Sequence, residues 1–248
     1  RVGDKAVVEL REWQSRHTNP EGEIIEVLGA SDAEGVDMLS VLRHYDLPLH
    51  FPKAALQEAR AVGDRVAPEE IQGRTDCRSQ QVITIDPADA KDFDDAIFLE
   101  RADADQWRLW VHIADVSHYV KPGTALDKEA RRRGNSTYLV DRVIPMLPEA
   151  LSNELCSLKP EVERLTKSVE FLISSDGAVL RTRFHSSVIH SRRRYTYGEA
   201  FAILQRPPAS ALERMLHETH QLAQKIRRRR FKQGALALDF PERKIRLD

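Results

Sequence analysis

Apolar and polar positions change rhythm several times along this chain. Near its start, residues 6–10 and 23–28 are short runs rich in Val, Ile and Leu, either side of a polar Asn19-Pro20-Glu21-Gly22 turn. That is the pattern of two strands joined by a loop. Residues 35–46 and 52–62 shift to helical spacing, with Met38, Val41 and Leu42 as an apolar stripe and Leu47-Pro48 closing the first helix. Two strands alone do not stabilise a domain. The opening therefore reads as the last part of a small β-barrel, and the helices as a bridge leading away from it.

The rhythm becomes strand-like again at residues 81–85 and 96–99. Residues 107–113 alternate with period two, and the polar Asp103-Ala104-Asp105 connection predicts a hairpin with the strand before it. A long polar connection containing Arg131-Arg132-Arg133 follows. Residues 169–174 and 179–189 predict a second hairpin around Asp176-Gly177, the strongest local turn signal in the chain. From Ser210, apolar positions at Leu212, Met215, Leu216, Leu222, Ala223 and Ile226 recur at helical spacing, and Gly234 provides the stop. The sequence contains no internal repeat and no low-complexity segment.

Composition narrows the class. With 248 residues the chain can bury a substantial core, as one large domain or two smaller ones. Lys and Arg total 38 and Asp and Glu 39, a formal charge of -1, but the neutral sum hides separation. Acids gather between 86 and 95, while basic runs stand at 131–133, 192–194 and 227–230. Such separation suits a polyanionic substrate drawn toward metal-bound acids, against the plainer reading of each run as a solvated helix face. Two cysteines, Cys77 and Cys156, are too few for a disulfide framework or a Cys-based zinc site, which points to a reducing compartment. No apolar segment approaches the roughly 18 residues needed to span a membrane, and no signal-peptide core is present. A soluble cytoplasmic protein is expected.

The acidic stretch carries the chemistry. Asp86, Asp89, Asp92, Asp94 and Asp95 crowd a short loop between two apolar runs. Close carboxylates cannot all stay ionised unless cations neutralise them. All the candidate ligands are oxygens, which favours Mg²⁺, with Mn²⁺ as the alternative, over zinc. The loop fails the EF-hand template, because the position needing Gly is Ile97 counted from Asp92 and Lys91 counted from Asp86. A phosphatase-type Asp-x-Asp motif at Asp92-Phe93-Asp94 leaves Asp86 and Asp95 unexplained. A purely structural role in caps and Arg pairs is the third option. The remaining reading is a phosphodiester site in which two cations about 4 Å apart activate water and stabilise the leaving oxygen.

These residues resemble a known family. The run from Ile85-Asp86-Pro87 to Asp92-Phe93-Asp94-Asp95-Ala96 is similar to the acidic signature of the ribonuclease II and ribonuclease R exoribonucleases. Residues 111–117, 138–148, 151–158 and Tyr195-Thr196-Tyr197 resemble further family segments in the same order, and residues 19–23 and 46–49 resemble the ribonuclease R branch more than the ribonuclease II branch. The resemblance implies a Mg²⁺-dependent 3′-to-5′ exoribonuclease that releases nucleoside 5′-monophosphates. In it Asp86, Asp92 and Asp95 position metal, and Asp94, also at the metal, is the acid on which chemistry depends most. Tyr138 stacks on a base at the RNA 3′ end, with Tyr197 a second candidate of that kind. The implied partner is single-stranded RNA with a free 3′ end, with no membrane, no dinucleotide cofactor and a monomeric full-length parent. His112, alternating with apolar neighbours, reads as a core histidine. Asp115 stays open between a structural acceptor and a support for the metal ligands.

The expected architecture is α+β. Residues 1–30 are the end of an OB-fold, cold-shock-like barrel, 31–78 a helical linker, and 79–248 the first half of an exoribonuclease II-type (RNB) catalytic domain. The sequence is expected to be a piece of a longer chain, since family members carry further catalytic sequence beyond it, with an active-site arginine. Two rivals remain: a catalytically silent RNA-binding regulator of the same fold, and a metal-dependent phosphatase.

Overall fold

The computed structural model describes residues 2–12, 17, 19–140 and 142–241. It divides into two compact units, Arg1–His50 and Phe51–Asp248. In the first, β1 (Asp4–Leu10) and β2 (Gly22–Ala30) pair antiparallel with two register shifts, and α1 (Val36–His44) follows. The Arg43 fork grips Glu26 at 2.6 and 2.8 Å and ties the helix to β2. Val8, Leu10, Ile24, Ile25 and Val27 are all exposed on this ribbon. The helical stretch 31–78 is shared between the units: α1 counts with the first, and α2 (Lys53–Ala61) and α3 (Pro68–Ile71) with the second.

The second unit is built on a mixed sheet. Its strands are β3 (Thr75–Asp76), β4 (Ile83–Asp86), β5 (Asp95–Asp103), β6 (Gln106–Ala114), β9 (Glu163–Ser174), β10 (Val179–His190) and β11 (Arg193–Thr196), in the order β11-β4-β5-β6-β9-β10-β3. The outermost pairs are parallel and the inner ones antiparallel. The remaining elements are α4 (Val116–Tyr119), α5 (Ala125–Arg133), the small ribbon β7 (Thr137–Tyr138) and β8 (Val143–Ile144), a π-helical turn (Ala150–Leu155), α6 (Tyr197–Leu204) and α7 (Ala211–Lys232).

Period-two alternation feeds two cores. On β6, Trp110 and Ala114 face one cluster with Ala55 and Ala59 of α2, Tyr119 of α4 and Leu126 of α5. Trp107 and Leu109 face the other, with Ile203 of α6 and Met215, Leu216 and Leu222 of α7. The middle of the sheet is thus covered on both faces, whereas β10 is exposed from Val179 to Phe184. Both hairpins and the long helix arise where the rhythm predicts them, and Gly234 sits at φ 97° just past the end of α7.

Two expectations need correction. The polar connection after β6 contains α4 and α5. The latter is capped by the Thr124 hydroxyl, which accepts from the Asp127 N–H at 3.2 Å, and its last-turn arginines pair with Asp127 and Glu129. The basic run 192–194 is no helix face, since Arg193 and Arg194 lie in β11, beside β4. Among the described residues no helix is long and apolar enough to cross a membrane.

Candidate functional site

A cavity of about 750 Å³ opens where β4 ends. Pro87 has no N–H to offer a ladder, so pairing stops at Asp86, and the chain loops until Asp95 re-enters the sheet opposite Ile113. This loop is anchored along its length. The buried Ser157 hydroxyl donates to the Lys91 carbonyl at 2.8 Å and accepts from the Phe93 N–H at 3.1 Å. The Leu158 N–H donates to the Phe93 carbonyl at 2.8 Å and the Ala114 N–H to the Asp94 carbonyl at 2.9 Å. From β11, Arg194 Nη2 donates to the carbonyls of Pro87 at 2.5 Å and Ala88 at 3.0 Å, and its guanidinium lies 5.1 Å from the Phe93 ring centre. With the backbone so held, the carboxylates cannot relieve crowding by moving the main chain.

Asp86, Asp89, Asp92, Asp94 and Asp95 line the cavity, faced by Ser136, Tyr138 and Arg142 from around the β7–β8 ribbon. Asp86 is buried, and its Oδ2 is shielded without a hydrogen-bond partner. Burial pushes its carboxyl above the usual range, and Asp95 and Asp92 add to the push. Asp94 is raised as well, by local burial and then by Asp92, Asp95 and Asp86. Its surface reaches solvent, so repulsion among the four charges is the cause that the geometry supports directly. The set is all-oxygen, anionic and partly desolvated, which suits a hard cation. Among the described residues, however, no three Asp, Glu, His or Cys side chains are arranged to hold a metal ion. As they stand, the acids share a cavity and do not form a coordination shell.

Tyr138 projects into this space, 67% exposed, and its hydroxyl donates to Asp92 Oδ2 at 3.3 Å. An open ring beside charge is available for stacking in a way that a core tyrosine is not. Tyr197 is also exposed, as the first residue of α6, but it lies outside the cavity lining. The register pairs Thr196 with Asp86, so Tyr197 follows directly on the partner of that acid.

His112 is fully buried, with Nδ1 at 2.7 Å from the Ser168 hydroxyl and Nε2 unpartnered, and burial lowers its pKa to about 4. Asp115 resolves as structural. It lies 2.9 Å from Arg74 and 3.5 Å from Lys167 and accepts from the Ser117 hydroxyl at 2.8 Å. Burial alone would raise its carboxyl, but Ser117, Arg74 and Lys167 together hold it below the usual range.

Sequence reasoning missed Ser157 and Arg194 as supports of the loop. Ser157 lay within one of the segments carrying the family resemblance, but nothing in its neighbours shows that its hydroxyl serves residues more than 60 positions earlier. Arg194 gave no signal either: only the fold shows that Tyr195 beside it is buried and that the strand turns Arg194 to the opposite face.

Known proteins resemble this chain in sequence and fold. Residues 74–248 match the RNB domain and residues 1–52 match a cold shock domain. Ribonuclease R of Escherichia coli is 41% identical over 250 residues, covering 99% of this chain and 31% of the relative. The chain thus spans about a third of the length of the curated relatives it matches. Mycoplasma genitalium RNase R, solved in complex with double-stranded RNA, superposes with a TM-score of 0.90 at 26% identity over 99% of this chain and 44% of its own. Yeast Ssd1, a pseudonuclease, has the same fold, with a TM-score of 0.77 at 19% identity over 93% of this chain and 29% of its own.

Proposed function

The chain belongs to the RNB-domain family, and from that premise we propose that it carries the acidic site of a 3′-to-5′ exoribonuclease that hydrolyses RNA to nucleoside 5′-monophosphates. The observation that carries this reading is the convergence of Asp86, Asp92, Asp94 and Asp95 on one cavity beside an open tyrosine. Mg²⁺ or Mn²⁺ bound among these acids would activate water and stabilise the leaving oxygen. The chain's own residues do the rest. Asp86, Asp92 and Asp95 would hold the cations, and Asp94 beside them would be the carboxylate whose loss costs the chemistry most. Tyr138 and Tyr197 offer π-faces that hold the last bases without choosing sequence. Arg194 and Ser157 fix the backbone of the loop, so that only the carboxylate side chains would have to turn to close around the cations. The substrate is single-stranded RNA with a free 3′ end, taken by a monomer in the cytoplasm.

A second reading has one observation in its favour. The fold is shared with Ssd1, a pseudonuclease, so fold alone does not separate a nuclease from a silent RNA-binding regulator. The four acids argue for catalysis, because holding a polyanion does not call for a nest of carboxylates. The test pairs 5′-labelled RNA with a phosphomonoester substrate, using the wild-type and Asp94→Asn chains within the full-length protein. We expect stepwise shortening of RNA by the wild type only, no phosphomonoesterase activity, and RNA affinity of the variant within a few-fold. Phosphomonoester release would make this a phosphatase, and tight RNA binding with no hydrolysis would make it a regulator.

A further inference from the structure

At the end of the sheet far from the acids, α7 finishes in a dense block of positive charge. Lys225, Arg227, Arg228, Arg229, Arg230 and Lys232 fall within its last eight residues, and residues 219–232 contain no Asp or Glu. Lys225, Arg228, Arg229 and Lys232 follow i, i+3, i+4, i+7 spacing and so share one face. With Asp176 they line a cavity of about 240 Å³. The flank beside it, through Leu222 and Ile226, packs into the second core.

The bland reading is a solvated helix end whose cations complement the helix dipole. One or two cations in the last turn would satisfy that dipole. Six repel one another at every i,i+3 and i,i+4 step, which costs the free helix stability. Among the described residues the recorded ion pair to this block is Arg229 with Asp176, at 2.9 Å. The face is also fixed in place. The β9–β10 turn presses on the helix at Gly177, where a Cβ would meet the Ile226 nitrogen at 3.0 Å and the Lys225 carbonyl carbon at 3.1 Å, and where φ is +88°. Asp176 at that turn holds the Arg229 guanidinium, so one cation of the set is oriented in advance. A concave, rigid, polycationic face fits the phosphates of a nucleic-acid strand.

We propose that this face of α7, with the Asp176-Gly177 turn, is a second contact for the RNA phosphodiester backbone, remote from the acidic cavity. β5 measures the separation. Its first residue, Asp95, lines the acidic cavity, and its far end meets the β9–β10 turn, where the Ser175 N–H donates to the Asp105 carbonyl at 2.8 Å. Nine strand residues at ~3.3 Å each put roughly 25 to 30 Å between the two places. A strand of two or three nucleotides held at the acids cannot reach α7, whereas a longer one can. The inference rests on the reading that RNA is the substrate, and it deepens that reading by giving the site a length threshold.

The test measures binding in EDTA, so hydrolysis plays no part. Fluorescent RNA 20-mer and trinucleotide affinities are followed against KCl for the wild-type protein and for a Lys225→Gln/Arg228→Gln/Lys232→Gln variant that keeps the Arg229 pair. We expect about tenfold weaker 20-mer binding at low salt and a log–log salt slope shallower by about 2, from three lost phosphate contacts at roughly 0.7 each. Trinucleotide binding should stay unchanged. Replacing Arg228 alone by Lys, which keeps charge, should preserve the slope. Unchanged 20-mer affinity and slope, or equal losses for both RNAs, would overturn the proposal, as would a wild-type preference for polyglutamate or anionic vesicles over RNA. A protein that binds the 20-mer through this face but never hydrolyses it would sink the nuclease reading and leave this one standing.

Discussion

Asp86 and Asp115 are both buried carboxylates of the same unit, and the protein treats them in opposite ways. Asp115 is matched by Arg74 and Lys167 and the Ser117 hydroxyl, and its carboxyl is held below the usual range. Asp86 has Asp92 and Asp95 as neighbours, and burial with their repulsion pushes its carboxyl up in spite of the opposing pull of Thr84 and Arg194. Arg194 of β11 gives the hydrogen bonds of its Nη2 to the carbonyls of Pro87 and Ala88 and not to the carboxylates. Charge that serves the fold is neutralised by the fold. Charge that is crowded, shielded and left unmatched marks a place where the protein acts on something else.

That contrast can be broken most forcefully at Asp115. Asp115→Ala leaves Arg74 buried without its partner and should destabilise the protein by roughly 3 to 5 kcal/mol, whereas Asp94→Asn, which removes one of four mutually repelling charges, should leave stability unchanged or slightly raised. Urea unfolding of both variants decides it. Equal losses would mean that the acidic loop is as structural as the Asp115 pair.

A second measurement uses pH. His112 is buried without a counter-charge, and its pKa falls from 6.5 to about 4 in the fold. The fold therefore favours the neutral ring. Its stability is intact above pH 6.5 and declines as pH drops from 6.5 toward 4, with a loss of about 2 kcal/mol at pH 5. His112→Gln, which cannot titrate, should lose less between pH 7 and pH 5 than the wild type. Parallel pH profiles would show that His112 is already relieved by a partner.

The smallest expected effect sharpens the contrast within the acidic loop itself. Arg194→Lys keeps the positive charge but loses the fork that spans two carbonyls. Mn²⁺ affinity, read by electron paramagnetic resonance, should weaken by about tenfold, roughly 1.4 kcal/mol, with RNA affinity unchanged. A variant with lower thermal stability but wild-type Mn²⁺ affinity would reduce Arg194 to a packing role.

How far the sequence could be read follows from what each feature depends on. The hairpins β5–β6 and β9–β10 and the helix α7 are local, so rhythm and turn residues suffice. The acidic loop announces itself by composition. Helix α5 was hidden because Leu126 and Ala130 are its only buried apolar side chains, too few to draw a stripe, while its charged residues satisfy one another. Strand β11 was hidden because two adjacent arginines, one buried Tyr and a Thr over four residues have no apolar signature. The sheet order is nonlocal, and no local pattern states that β11 lies beside β4. The roles of Arg194 and Ser157 follow from that order and from the path of the loop, so they became legible only with the fold.

The pairing of β4 with β11 also sets a clock. Asp86 leaves the ribosome about a hundred residues before the strand that fixes its position, a delay of roughly 5 to 20 seconds at ordinary synthesis rates. During that interval the acids are on the chain, but Ser157 and Arg194, which hold their loop, have yet to arrive in turn. The acidic loop is thus held in place only once the last strand of this sheet has been made.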